Sequence, residues 1–180
     1  AIANTDIQID WVIGRDITET HLDHFWRFYQ DTGSRKWGTP YLTRTFFSLI
    51  TERMAENILF VFARRGDIPI AGAMNFIGGD TLFGRYWGCT EHVPFLHFEC
   101  CYYQAIDYAL SHGLKYVDAG AQGEHKIARG YSPVTTYSLH YLPNPGFADA
   151  VEHFLEAERQ EVDDAISYLN AFTPFRKDLS

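Results

Sequence analysis

A single carboxylate within an apolar helical pattern is the residue best suited to chemistry in this sequence. Glu99 lies in residues 94–112, and at about 100° per residue it shares a face with Phe95 and Tyr102. A carboxylate on an apolar face must be paired, hydrogen-bonded or protonated, and desolvation raises its pKa. Glu99 is therefore a candidate general base. The alternative is a structural glutamate satisfied by Arg85, a tyrosine hydroxyl or backbone donors.

Polar side chains inside two apolar runs indicate a cleft. Residues 69–77 and 81–88 have strand patterns, and Asn75 and Arg85 interrupt them. Buried polar groups need partners, so either a cleft here holds a substrate carboxylate or carbonyl, or Arg85 and Glu99 form a structural pair. Strict alternation places Phe83, Arg85 and Trp87 on one face of the second strand, and Leu82, Gly84 and Tyr86 on the other.

A glycine-rich segment with two cations follows the predicted strand 115–119. Residues 120–131 read GAQGEHKIARGY. Glycines permit close approach of a ligand to the backbone, and Lys126 or Arg129 would stabilise an oxyanion or a phosphate. Neither GxxxxGK[ST] nor GxGxxG occurs, so the segment is not a known nucleotide-binding loop. A surface loop is the alternative interpretation.

The sequence does not indicate a metal site or a hydrolase triad. His92, His97 and Glu99 precede the adjacent Cys100 and Cys101, but neither HExxH nor C-x-x-C occurs. We expect His97 to lie on the opposite side of its helix from Glu99, exposed and without a role. No G-x-S-x-G is present. The cysteines are expected to be reduced thiols in a cytoplasmic protein.

Apolar periodicity predicts the elements that position these residues. Strands are expected at 6–13, 58–64, 69–77, 81–88, 115–119 and 134–142, and helices at about 18–32, from Thr39-Pro40 to about 50, at 94–112 and at 147–170. Short glycine-containing connections between the middle strands favour hairpins. The order predicts an α/β (α+β) domain with a mixed, mostly antiparallel sheet flanked by helices.

Composition excludes several classes of protein. The 180 residues are 46% hydrophobic with a net charge of −8, which suits one folded domain and excludes a disordered chain. No apolar run approaches the roughly 20 residues of a membrane span, and the acidic balance argues against broad nucleic-acid binding.

Seven acids and one base lie between residues 149 and 164. This pattern is typical of a solvated helix face, with a docking face for a basic partner as the alternative.

Four long segments carry a family resemblance: RKWGTPYLTRTFF at 35–47, PIAGAMNFIGGDTLFGRYWGC at 69–89, FLHFECCYYQAIDYA at 95–109 and GAQGEHKIARGYSPVTTYS at 120–138. They resemble a bacterial family of predicted N-acyltransferases related to the Fem-type aminoacyl transferases of peptidoglycan synthesis. The resemblance covers about residues 6–177 and implies the GCN5-related N-acyltransferase fold. It also implies a single domain over 1–180, equivalent to the C-terminal half of a longer family member.

The resemblance implies transfer of an acyl or aminoacyl group from an activated donor to an amine, in peptidoglycan or peptide modification. The donor would be acyl-CoA or aminoacyl-tRNA, with no permanently bound cofactor. The acyl-CoA branch carries [QR]-x-x-G-x-[GA] before its central helix, whereas this junction reads GCTEHVPFLHFE. Lys126, within GEHKIARG, is the position similar to the Fem-type lysine that helps to stabilise the oxyanion.

These inferences predict one active site. Glu99 accepts the proton of the attacking amine, and Lys126 stabilises the oxyanion. The expected substrate-binding residues are Asn75, Arg85, Tyr86, Trp87, Tyr102, Gln122, Glu124, His125 and Arg129. The alternative is a non-catalytic module that recognises a peptide or cell-wall precursor through an aromatic groove. Expected partners are a peptide or small-molecule acceptor, the acyl donor, and a second copy or the N-terminal half.

Overall fold

The first unit of the chain, Ala1–Gly120, is built on a mixed sheet. The structure is a computed structural model that describes residues 6–35, 40–121 and 123–175. Within these ranges five strands lie in sequential order: β1 Ile7–Ile13, β2 Ile58–Arg65, β3 Ile68–Gly78, β4 Thr81–Cys89 and β5 Tyr116–Asp118. The pairs from β1 to β4 are antiparallel, and β4 pairs with β5 in parallel. The predicted fold class is confirmed.

Helices cover both faces of this sheet. They are α1 Glu19–Arg35, α2 Arg44–Met54, α3 Leu96–Phe98, a π-helical segment Glu99–Tyr103 and α4 Gln104–Ser111. The last three are consecutive and connect the parallel strands β4 and β5, as such a pair requires. The predicted start of α2 at Thr39-Pro40 is wrong, because Pro40 is not helical. Thr39 lies outside the described residues. The helix begins after Thr43, which is extended and whose hydroxyl accepts a hydrogen bond from the Phe46 amide.

Strand β2 shows why the sheet is buried on both faces. Its apolar residues alternate strictly, so each face of the sheet carries its own core. One core joins Leu59, Val61 and Ala63 to Leu96, Cys100, Ala105 and Tyr108 of the α3–α4 layer. The other joins Ile58, Phe60 and Phe62 to Leu22, Phe25, Phe28 and Phe47 of α1 and α2. The sheet is therefore the middle of three layers, with one core on each of its faces.

The second unit, Ala121–Ser180, carries less regular structure. Residues Glu124–Arg129 form a 3-10 helix, and α5 spans Pro145–Asn170. The predicted strand at 134–142 is wrong, because these residues form no ladder within the described ranges. Four of their apolar side chains are at least 75% exposed, namely Val134, Tyr137, Leu139 and Tyr141, whereas Leu142 is partly buried. An alternating pattern forms a strand only where a neighbouring strand satisfies its backbone.

Helix α5 begins two residues before the predicted position. Asn144 is its N-cap and accepts a hydrogen bond from the Phe147 amide, and Pro145 occupies the first helical position. All seven acids between residues 149 and 164 are exposed, which fits a solvated face. No helix in the described ranges combines the length and apolar character needed to cross a membrane. The single domain over 1–180 stays a prediction.

Candidate functional site

The parallel strands β4 and β5 diverge after a short contact. They pair only at Thr81–Tyr116, Leu82–Val117 and Phe83–Asp118. Strand β4 then continues to Cys89, whereas β5 ends. A Cβ atom on Gly84 would lie 3.4 Å from the Asp118 carbonyl oxygen, so the strands are still close at this residue. Beyond it, no described strand pairs with the outer edge of β4.

A β-bulge lies at the point of divergence. Met74 of β3 is opposite Tyr86, and Asn75 is opposite Gly84, so Arg85 is an extra residue in β4. Bulges bend a strand and redirect its side chains, and they are frequent next to active sites. This bulge begins where β4 separates from β5.

The bulge changes which face each side chain occupies. Leu82 belongs to the core on the α3–α4 side. Strict alternation would place Tyr86 on that same side, but Tyr86 packs against the α1–α2 core. Trp87 packs with Leu82 instead. The predicted grouping of Phe83, Arg85 and Trp87 against Leu82, Gly84 and Tyr86 is therefore wrong beyond the bulge.

A cleft of about 480 Å³ opens along the free part of β4. Its described lining comes from α1, the residues before α2, strands β3 and β4, the α3 and π-helical segments, and Ala119 directly after β5. Five predicted substrate-binding residues meet here: Asn75, Arg85, Tyr86, Trp87 and Tyr102. The volume is within the range of about 300–1,000 Å³ typical of ligand pockets.

Two tyrosines and an arginine form the polar centre of this cleft. The hydroxyls of Tyr41 and Tyr86 are 2.7 Å apart and share a hydrogen bond. The Arg85 guanidinium carbon lies 5.1 Å from the centroid of the Tyr86 ring. Burial, followed by the hydrogen bond with Tyr41, raises the pKa of Tyr86 to about 12. Tyr86 is therefore a neutral hydroxyl that can donate a hydrogen bond at physiological pH.

Asn75 and Arg85, the two polar residues in apolar runs, differ in burial. Asn75 is 1% exposed, as its position predicts, and its Nδ2 lies 3.4 Å from the Leu59 carbonyl oxygen. Arg85 is exposed, because the bulge turns its side chain out of the core. The structural pair of Arg85 with Glu99, the alternative interpretation, is not what the structure shows: Arg85 lies over Tyr86.

Glu99 lies outside the cleft lining, and hydrogen bonds connect it through Gln104 to strand β1. Gln104 Nε2 donates a hydrogen bond to Glu99 Oε1 at 2.9 Å. Trp11 Nε1, from β1, donates to Gln104 Oε1 at 2.8 Å. These bonds connect Glu99 to the far edge strand, and Glu99 is not among the residues that line the cleft. Its role as general base stays a prediction.

The π-helical segment explains why the predicted helix face is wrong. In an α-helix, residues five apart, such as Glu99 and Gln104, point about 140° apart. In a π-helix the hydrogen bonds run between residues five apart, so these side chains lie on the same side. Phe95, expected on the apolar face, is 62% exposed, and Cys100 is fully buried. Single π-helical turns inside α-helices are frequent at functional sites.

His97 lines the cleft, although the sequence placed it away from the site. Its ring centroid lies 5.3 Å from Trp87 and 5.5 Å from Tyr102. The expectation that it is exposed and without a role follows from a predicted helix face that includes Phe95 and Tyr102. The buried pair Leu96 and Cys100, four residues apart, defines the true face and could have located His97 beside it.

The cysteines are free thiols and poorly suited to act as nucleophiles. Cys101 lines the cleft, but burial raises the pKa of its thiol well above the usual value. Burial and the nearby Glu99 charge also raise the pKa of Cys100. A protonated thiol attacks weakly, so a cysteine acyl intermediate is unfavourable here. Within the described ranges, no three His, Cys, Asp or Glu side chains group as metal ligands.

The remaining predicted site residues belong to the second unit. The expected loop is a 3-10 helix between Gly123 at φ +104° and Gly130 at φ +90°. Lys126 Nζ lies 3.3 Å from the Ala121 carbonyl oxygen, and Arg129 donates to the His125 carbonyl oxygen at 2.6 Å. Gln122 lies outside the described residues. The site roles of Lys126, Arg129, His125 and Glu124 stay predictions.

Comparisons with known proteins identify a family and a fold. The family model FemAB_like, described as peptidoglycan biosynthesis/recognition, matches residues 1–177. No curated protein matches the sequence significantly. The aminoglycoside acetyltransferase meta-AAC0020 from an uncultured soil metagenomic sample, solved with sisomicin, is 10% identical with a TM-score of 0.52, over 80% of this chain and 99% of that chain.

A second solved structure is similar to the same extent. The aminoglycoside N-acetyltransferase AAC(6')-Iy in complex with CoA is 11% identical with a TM-score of 0.51. The match covers 77% of this chain and 97% of that chain. At these identities the similarity establishes the acetyltransferase fold.

Proposed function

Because the chain belongs to the FemAB-like family, we propose that it is an N-acyltransferase that moves an acyl or aminoacyl group from an activated donor to an amine. The acetyltransferase fold supports acyl transfer in general. The observation that carries the proposal is the cleft at which β4 and β5 diverge. It combines the open backbone edge of β4 with the polar side chains of Asn75, Arg85 and Tyr86. One cleft can therefore contact both the acyl donor and the amine that accepts the acyl group.

The open edge of β4 suits an extended donor. Beyond Phe83 no described strand pairs with its outer side, and unpaired backbone groups on a strand edge bind extended chains by strand addition. The pantetheine arm of an acyl-CoA carries two amides that would bond to such an edge. The CoA complex of the similar acetyltransferase supports this donor class. Aminoacyl-tRNA is the second donor that we propose for testing.

His97 is the base that the geometry favours. The amine must lose a proton as it attacks the acyl carbonyl, and the acceptor of that proton must reach the cleft. His97 lines the cleft, and an imidazole exchanges protons near neutral pH. Glu99 remains the second candidate, acting from outside the lining through water. Tyr86 would donate a hydrogen bond to the oxyanion, with Lys126 as the predicted cationic contribution.

A transfer assay tests this function directly. The protein is incubated with acetyl-CoA or an aminoacyl-tRNA and with amines that include amino sugars and lysine-containing muramyl peptides. Mass spectrometry then detects the acylated amine.

We expect Tyr86→Phe to lower transfer about 100-fold, as removal of an oxyanion donor typically does. Phe83→Ala is the matched control, because Phe83 is 41% exposed on the same strand and does not line the cleft. Absence of transfer from both donors would contradict the proposal.

A recognition module is the second candidate function. The position of Glu99 outside the cleft favours it, since the predicted carboxylate base is then missing from the lining. The aromatic residues Tyr41, Tyr86, Trp87 and Tyr102 would hold a peptide or cell-wall precursor. Saturable binding of a muramyl peptide without transfer from any donor would support this candidate over the enzyme.

A further inference from the structure

The charge of Arg85 is not balanced within the cleft. The described lining contains no other arginine and no lysine, and it contains no aspartate or glutamate. A guanidinium without a carboxylate beside it attracts an anionic group and repels a second cation. The described part of the cleft is therefore suited to a substrate that carries a negative charge.

Arg85 differs in this respect from the arginines of the neighbouring strand β2. Arg64 Nε lies 2.5 Å from Asp10 Oδ2, and Arg65 Nη2 lies 2.6 Å from Glu91 Oε1. Within the described ranges, the ion pairs of the chain do not include Arg85. The chain thus pairs the arginines on β2 and leaves the arginine in the cleft available to a ligand.

The β-bulge and the ring of Tyr86 position this guanidinium. Arg85 is the extra residue of the bulge, so its side chain leaves the alternation of β4 and enters the cleft lining. Its guanidinium carbon lies 5.1 Å from the centroid of the Tyr86 ring. Packing on an aromatic ring orients the planar guanidinium, whose N–H donors form a fork that matches a carboxylate.

Arg85 lies on the side of the reaction centre that the donor leaves free. In the proposed function the acyl carbonyl is at Tyr86, and the donor extends along the edge of β4 towards Cys89. Arg85 precedes Tyr86 on the strand, so it lies in the direction away from the donor arm. The attacking amine enters where the donor does not lie, and Arg85 therefore contacts the acceptor.

We propose that Arg85 binds a carboxylate of the acceptor, so that the amine substrate is an amino acid, a peptide or another amine that carries a carboxylate. The assignment of this carboxylate to the acceptor rests on the proposed function. The unbalanced charge, the bulge and the packing on Tyr86 are independent of that function. Amines without a carboxylate are therefore poorer acceptors.

Binding of matched amines tests this site without catalysis. The probes are Nα-acetyl-lysine with Nα-acetyl-lysinamide, and alanine with alaninamide, so that only the carboxylate differs within a pair. Each is titrated into the full chain and followed by ligand-observed NMR. In one pair or both, we expect the carboxylate form to bind about tenfold more tightly, the lower end for hydrogen bonds to a charged group.

Three variants assign the preference to Arg85. Arg85→Gln should remove it, and Arg85→Glu should reverse it, because a carboxylate at this position repels the carboxylate of the probe. Arg53→Gln is the matched control, since Arg53 is exposed on α2 and does not line the cleft. Equal binding within both pairs, or the same preference in wild type and Arg85→Gln, would overturn the site.

Transfer kinetics separate this site from other roles of Arg85. We expect Arg85→Gln to raise the KM of the carboxylate acceptor more than the KM of its amide. An equal fall in kcat for both acceptors, without a change in KM, would assign Arg85 to the oxyanion and overturn the proposal. A preference for succinyl-CoA over acetyl-CoA that Arg85→Gln removes would place the carboxylate on the acyl group and overturn the acceptor assignment.

The binding result also stands apart from the enzyme activity. A carboxylate preference that depends on Arg85, without transfer from any donor, would retain the carboxylate site and reject the proposed function. Transfer to both members of each pair with equal KM would do the reverse.

Discussion

The two candidate bases differ in their surroundings. His97 lines the cleft, whereas Glu99 is hydrogen-bonded to Gln104 outside it. We expect His97→Gln to lower kcat about 100-fold, in the usual range for a lost general base. The loss should appear in kcat with little change in the KM for the donor, because the base acts on the attacking amine in the transition state. Steady-state rates measured over a range of donor concentrations check this prediction.

Glu99→Gln is the matched control for this assignment. The amide oxygen of the new side chain can still accept the hydrogen bond from Gln104, so the fold should be retained. We expect this variant to keep most of the wild-type kcat. The reverse pattern, with Glu99→Gln inactive and His97→Gln active, would establish the carboxylate as the base.

Titration of Tyr86 is expected to lower the stability of the folded chain at alkaline pH. Folding raises the pKa of its hydroxyl from 10.0 to about 12, first through burial and then through Tyr41. The unfolded chain therefore loses this proton first, so the free energy of unfolding falls as pH rises from 10 to about 12. Below pH 10 this contribution is fully present.

Denaturant unfolding at several alkaline pH values checks the role of Tyr86. Tyr86→Phe should reduce the loss of stability in this window, because phenylalanine has no hydroxyl to titrate. Tyr137→Phe, at a position 90% exposed, should leave the loss unchanged. An identical pH dependence in wild type and Tyr86→Phe would show that Tyr86 does not titrate as described.

Strand β4 packs against α1 at a position that admits only glycine. A Cβ atom on Gly88 would lie 2.0 Å from the carbonyl oxygen of Phe28, which is backbone and cannot rotate away. We expect Gly88→Ala to lower the free energy of unfolding by about 3 kcal/mol, the upper part of the range for overpacking. Thermal or denaturant unfolding measures this change.

A second glycine on the same strand supplies the control. A Cβ atom on Gly84 would lie 3.4 Å from the Asp118 carbonyl oxygen, an ordinary contact. Gly84→Ala should therefore change the free energy of unfolding by less than about 1 kcal/mol. Similar losses in both variants would mean that glycine flexibility, and not the contact with Phe28, determines the cost.

The elements that sequence predicted are those with a strong apolar period. Strand β2 alternates without interruption, and its two sets of side chains enter the two cores as expected. The bulge at Arg85 and the π-helical segment at Glu99–Tyr103 each change the spacing locally, so a fixed period cannot locate them. Both lie beside the cleft, and for that reason the sequence predicts several residues that line the cleft better than it predicts their orientation.

Two residues that line the cleft can be predicted from the sequence, because polar residues within apolar runs are rare. Asn75 and Arg85 were identified in this way, and the cleft contains both. The sequence pattern does not indicate His97, because the predicted apolar face includes the exposed Phe95 and excludes the buried Leu96. Tyr41 was missed because it reaches Tyr86 from a distant segment, which no local pattern reports.

Across the whole molecule, charge bears on the choice between the two donors. The chain has a net charge of −8, and the acids of α5 are exposed. Binding to RNA gains most of its affinity from cations that replace the counterions of the phosphates. We therefore expect deacylated tRNA, which carries no amino acid, to show no saturable binding in fluorescence anisotropy at physiological salt. A variant with Glu156, Glu158 and Glu161 each changed to Gln should bind more tightly at low salt, because it removes three like charges from α5. Low-micromolar binding of tRNA by the wild type at physiological salt would instead make aminoacyl-tRNA the favoured donor.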